Sequence, residues 1–72
     1  MKRPAVFRGG SLDGRGMDLE SSTITKMVEV GGRTEIYRRT GRRVSVEGPG
    51  KTRMEAVVFR FERSVEKTGE KV

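Results

Sequence analysis

Thr23-Ile24-Thr25-Lys26-Met27-Val28-Glu29-Val30, then Gly31-Gly32, then Arg33-Thr34-Glu35-Ile36-Tyr37-Arg38-Arg39, is the stretch whose reading decides the fold. Its side chains alternate with period two, so Ile24, Val28 and Val30 share one face with Lys26 while Thr23, Thr25, Met27 and Glu29 take the other. β-branched residues dominate, which is strand composition. Gly31-Gly32 tolerates positive φ and supplies a turn, and Arg33 to Arg39 returns as a second strand. With a three-residue loop, Gly31 to Arg33, Val28 falls opposite Ile36 and Met27 opposite Tyr37. The same register sets Glu29 against Glu35 at a small cost.

Outward from this hairpin the chain is punctuated by ten glycines. Thr40-Gly41-Arg42 reads as a second turn, Val44 and Val46 mark a short strand, and Gly48-Pro49-Gly50 is a break. Thr52 to Arg63 is expected to be the longest strand. It carries Val57, Phe59 and Phe61 on one face and Met54, Ala56 and Val58 on the other, so it belongs at the centre of a sheet or against a partner. Towards the N-terminus, Ala5 to Arg8 reads as a strand and Gly9 to Gly14 as a loop whose Leu12 plugs the core. Met17 to Glu20 forms another short strand. No 3.6-residue apolar stripe of useful length precedes residue 63, and no internal repeat is evident. The expectation is an all-β fold, a small antiparallel meander of four or five strands forming one domain over residues 1–63, with a flexible charged C-terminal tail over residues 64–72.

The chain has 72 residues, 32% apolar and 36% charged, without cysteine or histidine. A domain of this size buries only about 60% of the surface that its unfolded chain exposes. Disulfides and the usual zinc ligands are excluded, so self-association or docking on a larger protein assembly is the remaining way to complete a thin core. No window approaches the roughly 20 apolar residues of a membrane span, and the N-terminal apolar stretch is too short for a signal peptide. Neither a membrane nor a small-molecule substrate is expected as partner.

Gly48-Pro49-Gly50-Lys51-Thr52 ends like a nucleotide-binding P-loop, but Ser45 stands where the first glycine belongs and a strand pattern follows in place of a helix. A plain turn is the better reading. Asp13, Asp18 and eight glutamates alternate mostly with arginines, the pattern of exposed cross-strand pairs and not of a paired acid and base. Serines have no histidine to activate them. No carboxylate loop has calcium-binding spacing. The chain is read as non-enzymatic, with no cofactor and no metal.

Net charge is +6, and eleven of the sixteen basic residues are arginine. Arg38, Arg39, Arg42 and Arg43 cluster around the expected turn at Thr40-Gly41. Such a tip can grip phosphates through bidentate bonds or meet an acidic protein surface, while the plainer reading is a solvated basic turn. Tyr37 and the phenylalanines are too few, and too much needed by the core, to build a base-stacking platform.

Phe7-Arg8-Gly9-Gly10-Ser11-Leu12-Asp13-Gly14-Arg15 resembles the opening of small proteins common in phages of actinobacteria, where Gly-Gly-Pro-Leu-Asp-Gly follows an aromatic strand. Tyr37-Arg38-Arg39-Thr40-Gly41-Arg42 is similar to the Tyr-Arg-Arg turn of that family, and Val58-Phe59-Arg60-Phe61-Glu62 to its closing strand. Ser11 replaces the family's proline, and the proline-rich middle is missing. The resemblance implies a phage origin and no particular mechanism. The expected role is a virion component, a capsid decoration or minor capsid protein located in the virion. The alternative is a small regulatory or host-takeover protein in the host cytoplasm, binding nucleic acid or a host protein.

Overall fold

A computed structural model describes residues 1–66. Five strands, β1 Lys2–Arg8, β2 Gly16–Glu20, β3 Thr25–Val30, β4 Arg33–Glu47 and β5 Arg53–Glu66, form one sheet. The spatial order is β2-β1-β5-β4-β3, antiparallel throughout except that β1 and β5 are parallel. The fold is therefore all-β with β5 at the centre, as expected, but the sheet is mixed and not purely antiparallel. An odd number of strands explains the difference. Each of four successive reversals flips direction, so the first and fifth strands run the same way when they meet.

They meet because the sheet is rolled. Laid flat, five strands would place β2 and β3 about 19 Å apart. Only Ser21 to Ile24 join them, and that linker is itself folded by the Thr23 N–H donating to the Glu20 carbonyl, 2.9 Å. A turn of this kind spans less than about 7 Å. The edges are thus drawn together into a partly open barrel whose seam lies between β2 and β3. Arg39 of β4 holds the linker: its backbone N–H donates to the Ile24 carbonyl at 2.8 Å, one rung beyond the Thr25–Arg38 pair, and its Nη1 to the Ser21 carbonyl at 3.0 Å.

The β3–β4 turn corrects the expected register. Gly31 and Gly32 have φ of 53° and 81°, which makes a two-residue loop with both central residues in the left-handed region. Such a turn matches the twist of the flanking strands, so it prevails over a longer loop. Val30 pairs with Arg33, Val28 with Glu35, Met27 with Ile36 and Lys26 with Tyr37. Glu29 faces Thr34, which removes the expected Glu29–Glu35 repulsion.

No turn forms at Thr40-Gly41-Arg42 either. β4 continues through it, with Arg39 opposite Phe59 and Arg43 opposite Val57, so three residues bulge against Val58 alone. Thr40 holds the bulge: its hydroxyl donates to the Val58 carbonyl at 2.9 Å and accepts the Arg42 N–H at 3.1 Å. β4, at 15 residues, is consequently the longest strand. β5 extends beyond Arg63 to Glu66, taking the first residues assigned to the tail into the sheet. The rest of that expected tail, residues 67–72, lies outside the described residues.

The barrel interior holds Ala5, Phe7, Tyr37 and Phe59, with Leu19, Val28, Val57 and Phe61 packed against them. The ring centroids of Phe7 and Tyr37 stand 5.0 Å apart, edge to face, a favoured aromatic geometry. Leu12, carried on a short 3-10 turn Gly10–Leu12, plugs one end as expected. The Leu12 N–H donates to the Tyr37 hydroxyl, which donates to Glu35, and Glu35 also accepts from the N–H and hydroxyl of Ser11. Gly10 has φ 66°, and a Cβ there would collide with the Tyr37 hydroxyl and the Phe61 ring. Only glycine fits.

The Ser11 hydroxyl, then the Tyr37 hydroxyl, hold the Glu35 carboxyl below its ordinary range. A depressed carboxyl stabilises the fold above its unfolded value, and that contribution is lost as pH falls through the folded value. Thermal melts are therefore expected to show the plug loosening below about pH 4.5. Glu35→Gln should melt lower than the parent at pH 7 and show a flatter dependence below pH 5. An unchanged acid limb would exclude Glu35 as its source.

Candidate arginine face and docking arm

The roll divides the four clustered arginines between two surfaces. Alternation along β4 sends Arg39 and Arg43 to the inner side, at the open end of the barrel, and Arg38 and Arg42 to the outer side. Arg39, Arg43 and Arg3 line a cavity of about 260 Å³ together with Glu20. Two of these cations are already engaged, Arg39 with the Ser21 carbonyl and Arg43 with Glu55 at 3.6 Å. Arg39 is thus a closing strut, and at the inner mouth Arg43 alone has a carboxylate partner among the described residues.

On the outer side, Arg8 pairs with Arg60 across the parallel β1–β5 ladder, and Arg60 pairs with Arg38 across the antiparallel β5–β4 ladder. Directly paired residues share a face, so three arginines form one row across three strands. At about 4.8 Å per strand the row is roughly 10 Å long. Like charges directly opposite are destabilising. Only Arg38 has a carboxylate partner, Glu62 at 3.4 Å; among the described residues Arg8, Arg42 and Arg60 form no ion pair. Arg42 joins Arg8 and Arg60 around a cleft that no acidic residue lines. All four side chains are exposed.

Sequence reasoning found Arg38 and Arg42 but missed Arg8 and Arg60. Their signal was short. Val6-Phe7-Arg8 and Val58-Phe59-Arg60 are the same triplet, and the parallel ladder pairs them residue for residue.

A second outer feature is the end of the β4–β5 ribbon. Residues 44–47 and 53–56 pair only with each other, because β1 pairs with β5 over 57–60 and β3 with β4 over 33–38. The molecule is accordingly long, 50 × 21 × 18 Å. One side of this arm is apolar: Val44 opposite Ala56 and Val46 opposite Met54. Ser45, Glu47, Arg53 and Glu55 occupy the other. Its tip, Pro49–Lys51, is a single 3-10 turn that leads into a strand, so the P-loop geometry is absent there.

The most organised polar cluster is Ser11, Glu35 and Tyr37. It lies in the barrel plug, where every member is hydrogen-bonded to another, and the depressed Glu35 carboxyl is a weaker base than an ordinary one. Its arrangement is that of a structural clasp. Among the described residues no group of three potential acidic metal ligands converges.

Arg39→Ala should lower stability by about 1 kcal/mol, the scale of one partly exposed hydrogen bond. For a chain of this size that is a fall of about 4–8 °C in Tm. Arg60→Ala, which relieves two like-charge pairs, should leave Tm unchanged or raise it slightly. Calorimetry on the two variants checks the division of roles; equal losses would contradict it. Comparison with protein-family models, with curated proteins and with solved structures yields no match to this chain.

Proposed function

We propose that this chain is a non-enzymatic accessory protein that docks on a larger protein assembly through the apolar side of its β4–β5 arm. The carrying observation is that arm. An isolated two-stranded ribbon is marginal in water, yet here one extends past the barrel with Val44 and Val46 half-buried and Met54 37% exposed. The barrel core does not use these side chains, since the interior cluster is complete without them. A partner groove that covers Val44, Val46 and Met54 removes them from water and rigidifies the ribbon, which stabilises both.

A phage virion is the setting suggested by the resemblance of the three sequence islands, with a capsid decoration or minor capsid protein as the role. A thin barrel with a projecting arm suits that task, because the assembly supplies the rigidity that the small core lacks. Arg38 and Arg42 belong to the outer surface beside the arm, Arg39 and Arg43 to the inner side, and none of the four is the arm's apolar contact.

Mass spectrometry of purified particles should find the parent chain in high copy. Val46→Asp combined with Met54→Asp should reduce that copy number at least tenfold while far-UV circular dichroism keeps its strand signature. Absence of the parent from particles would overturn the virion setting, and parental copy number in the double variant would overturn the arm.

A further inference from the structure

We infer that the outer arginine row, Arg8, Arg60 and Arg38 with Arg42 beside it, is a binding site for the phosphate backbone of nucleic acid. This inference does not rest on the docking reading, although the two surfaces adjoin at Val44, which lines the arginine cleft.

Three observations carry it. The first is the energetic cost of the row. Arg8 faces Arg60 and Arg60 faces Arg38 with Cα atoms in direct register, an arrangement that two-strand pairing alone disfavours. The second is the lack of internal compensation, since Glu62 reaches only Arg38 and no acidic residue lines the cleft between Arg8, Arg42 and Arg60. The third is regularity. Strand spacing sets the Cα atoms of Arg8, Arg60 and Arg38, from which the guanidinium groups extend, at even intervals along a line. A polyphosphate backbone offers anions at even intervals as well, whereas carboxylates on a folded protein surface follow no such repeat.

The side-chain chemistry agrees with this ligand. Guanidinium forks bind phosphate oxygens bidentately. Gly41, at the centre of the bulge, has open space where a Cβ would stand, so a backbone can approach the cleft beside Arg42. Phe59 is buried, and Phe61, partly buried against the core, is the one ring that lines the cleft, too little for a base-stacking platform. The site therefore reads charge spacing and not base identity. Binding is expected to be independent of sequence and steeply dependent on salt.

The test is fluorescence anisotropy with a labelled 20-base-pair DNA duplex of random sequence, titrated with the full chain between about 50 and 200 mM NaCl. With three to four phosphates engaged, log K should fall against log salt with a slope of about −3 to −4. Arg8→Ala with Arg60→Ala should weaken binding at least tenfold at 50 mM NaCl and reduce the slope by about 2. Arg8→Lys with Arg60→Lys keeps the charge and guards against a folding artefact; it should preserve the slope while losing the bidentate part of the affinity. Arg39→Ala, and the arm variant Val46→Asp with Met54→Asp, should bind as the parent does. No binding by the parent at 50 mM NaCl would overturn the inference. So would an unchanged Arg8→Ala, Arg60→Ala variant, or polyglutamate competing as well as unlabelled duplex at equal charge, which would assign the row to acidic protein. Loss of particle association in the arm variant with retained duplex binding would separate the two proposals.

Discussion

Two identical triplets, Val6-Phe7-Arg8 and Val58-Phe59-Arg60, lie side by side in a parallel ladder, and the rest of the molecule depends on that pairing. It buries Phe7 and Phe59 together, with ring centroids 5.7 Å apart, and seats both against Tyr37 or its neighbours in the barrel. Truncating a buried phenylalanine costs about 3–5 kcal/mol. A chain of this length has a total stability of roughly 4–10 kcal/mol. Few other contacts here carry so large a share.

The same ladder produces the arginine row. Alternation makes it unavoidable: once the two phenylalanines face inward in register, Arg8 and Arg60 face outward in register. A fold held by this pair therefore accepts two adjacent unneutralised cations, and the antiparallel neighbour adds Arg38. Stability and surface charge are two faces of one pairing. Proteins that break a local rule without internal compensation do so most often at functional positions.

Much of this was legible in the sequence because strand alternation is a local signal. The strands at Ala5–Arg8, Met17–Glu20, Thr23–Val30 (observed from Thr25) and the last third of the chain, and Leu12 as a plug, follow from patterns a few residues long. The failures were of two physical kinds. Gly31-Gly32 fixes a two-residue turn through positive φ at both positions, and moving the loop by one residue moves every pair, so Lys26 meets Tyr37 instead of Met27. Thr40-Gly41-Arg42 has turn composition, yet Thr40 bonds across to Val58 and converts it into a bulge inside one long strand. The parallel partnership of β1 and β5 joins residues 52 apart in the chain, and a triplet is too short to announce it. That is why Arg38 and Arg42 were foreseen while Arg8 and Arg60 were not.

The parallel β1–β5 ladder is open to direct observation in solution. In nuclear Overhauser spectra of the labelled chain, the account predicts parallel-type backbone contacts linking Ala5 to Val57, Val6 to Val58, Phe7 to Phe59 and Arg8 to Arg60. Antiparallel contacts between these segments, or a β1 paired with β2 alone, would separate Arg8 from Arg60, open the barrel and contradict the account at its base.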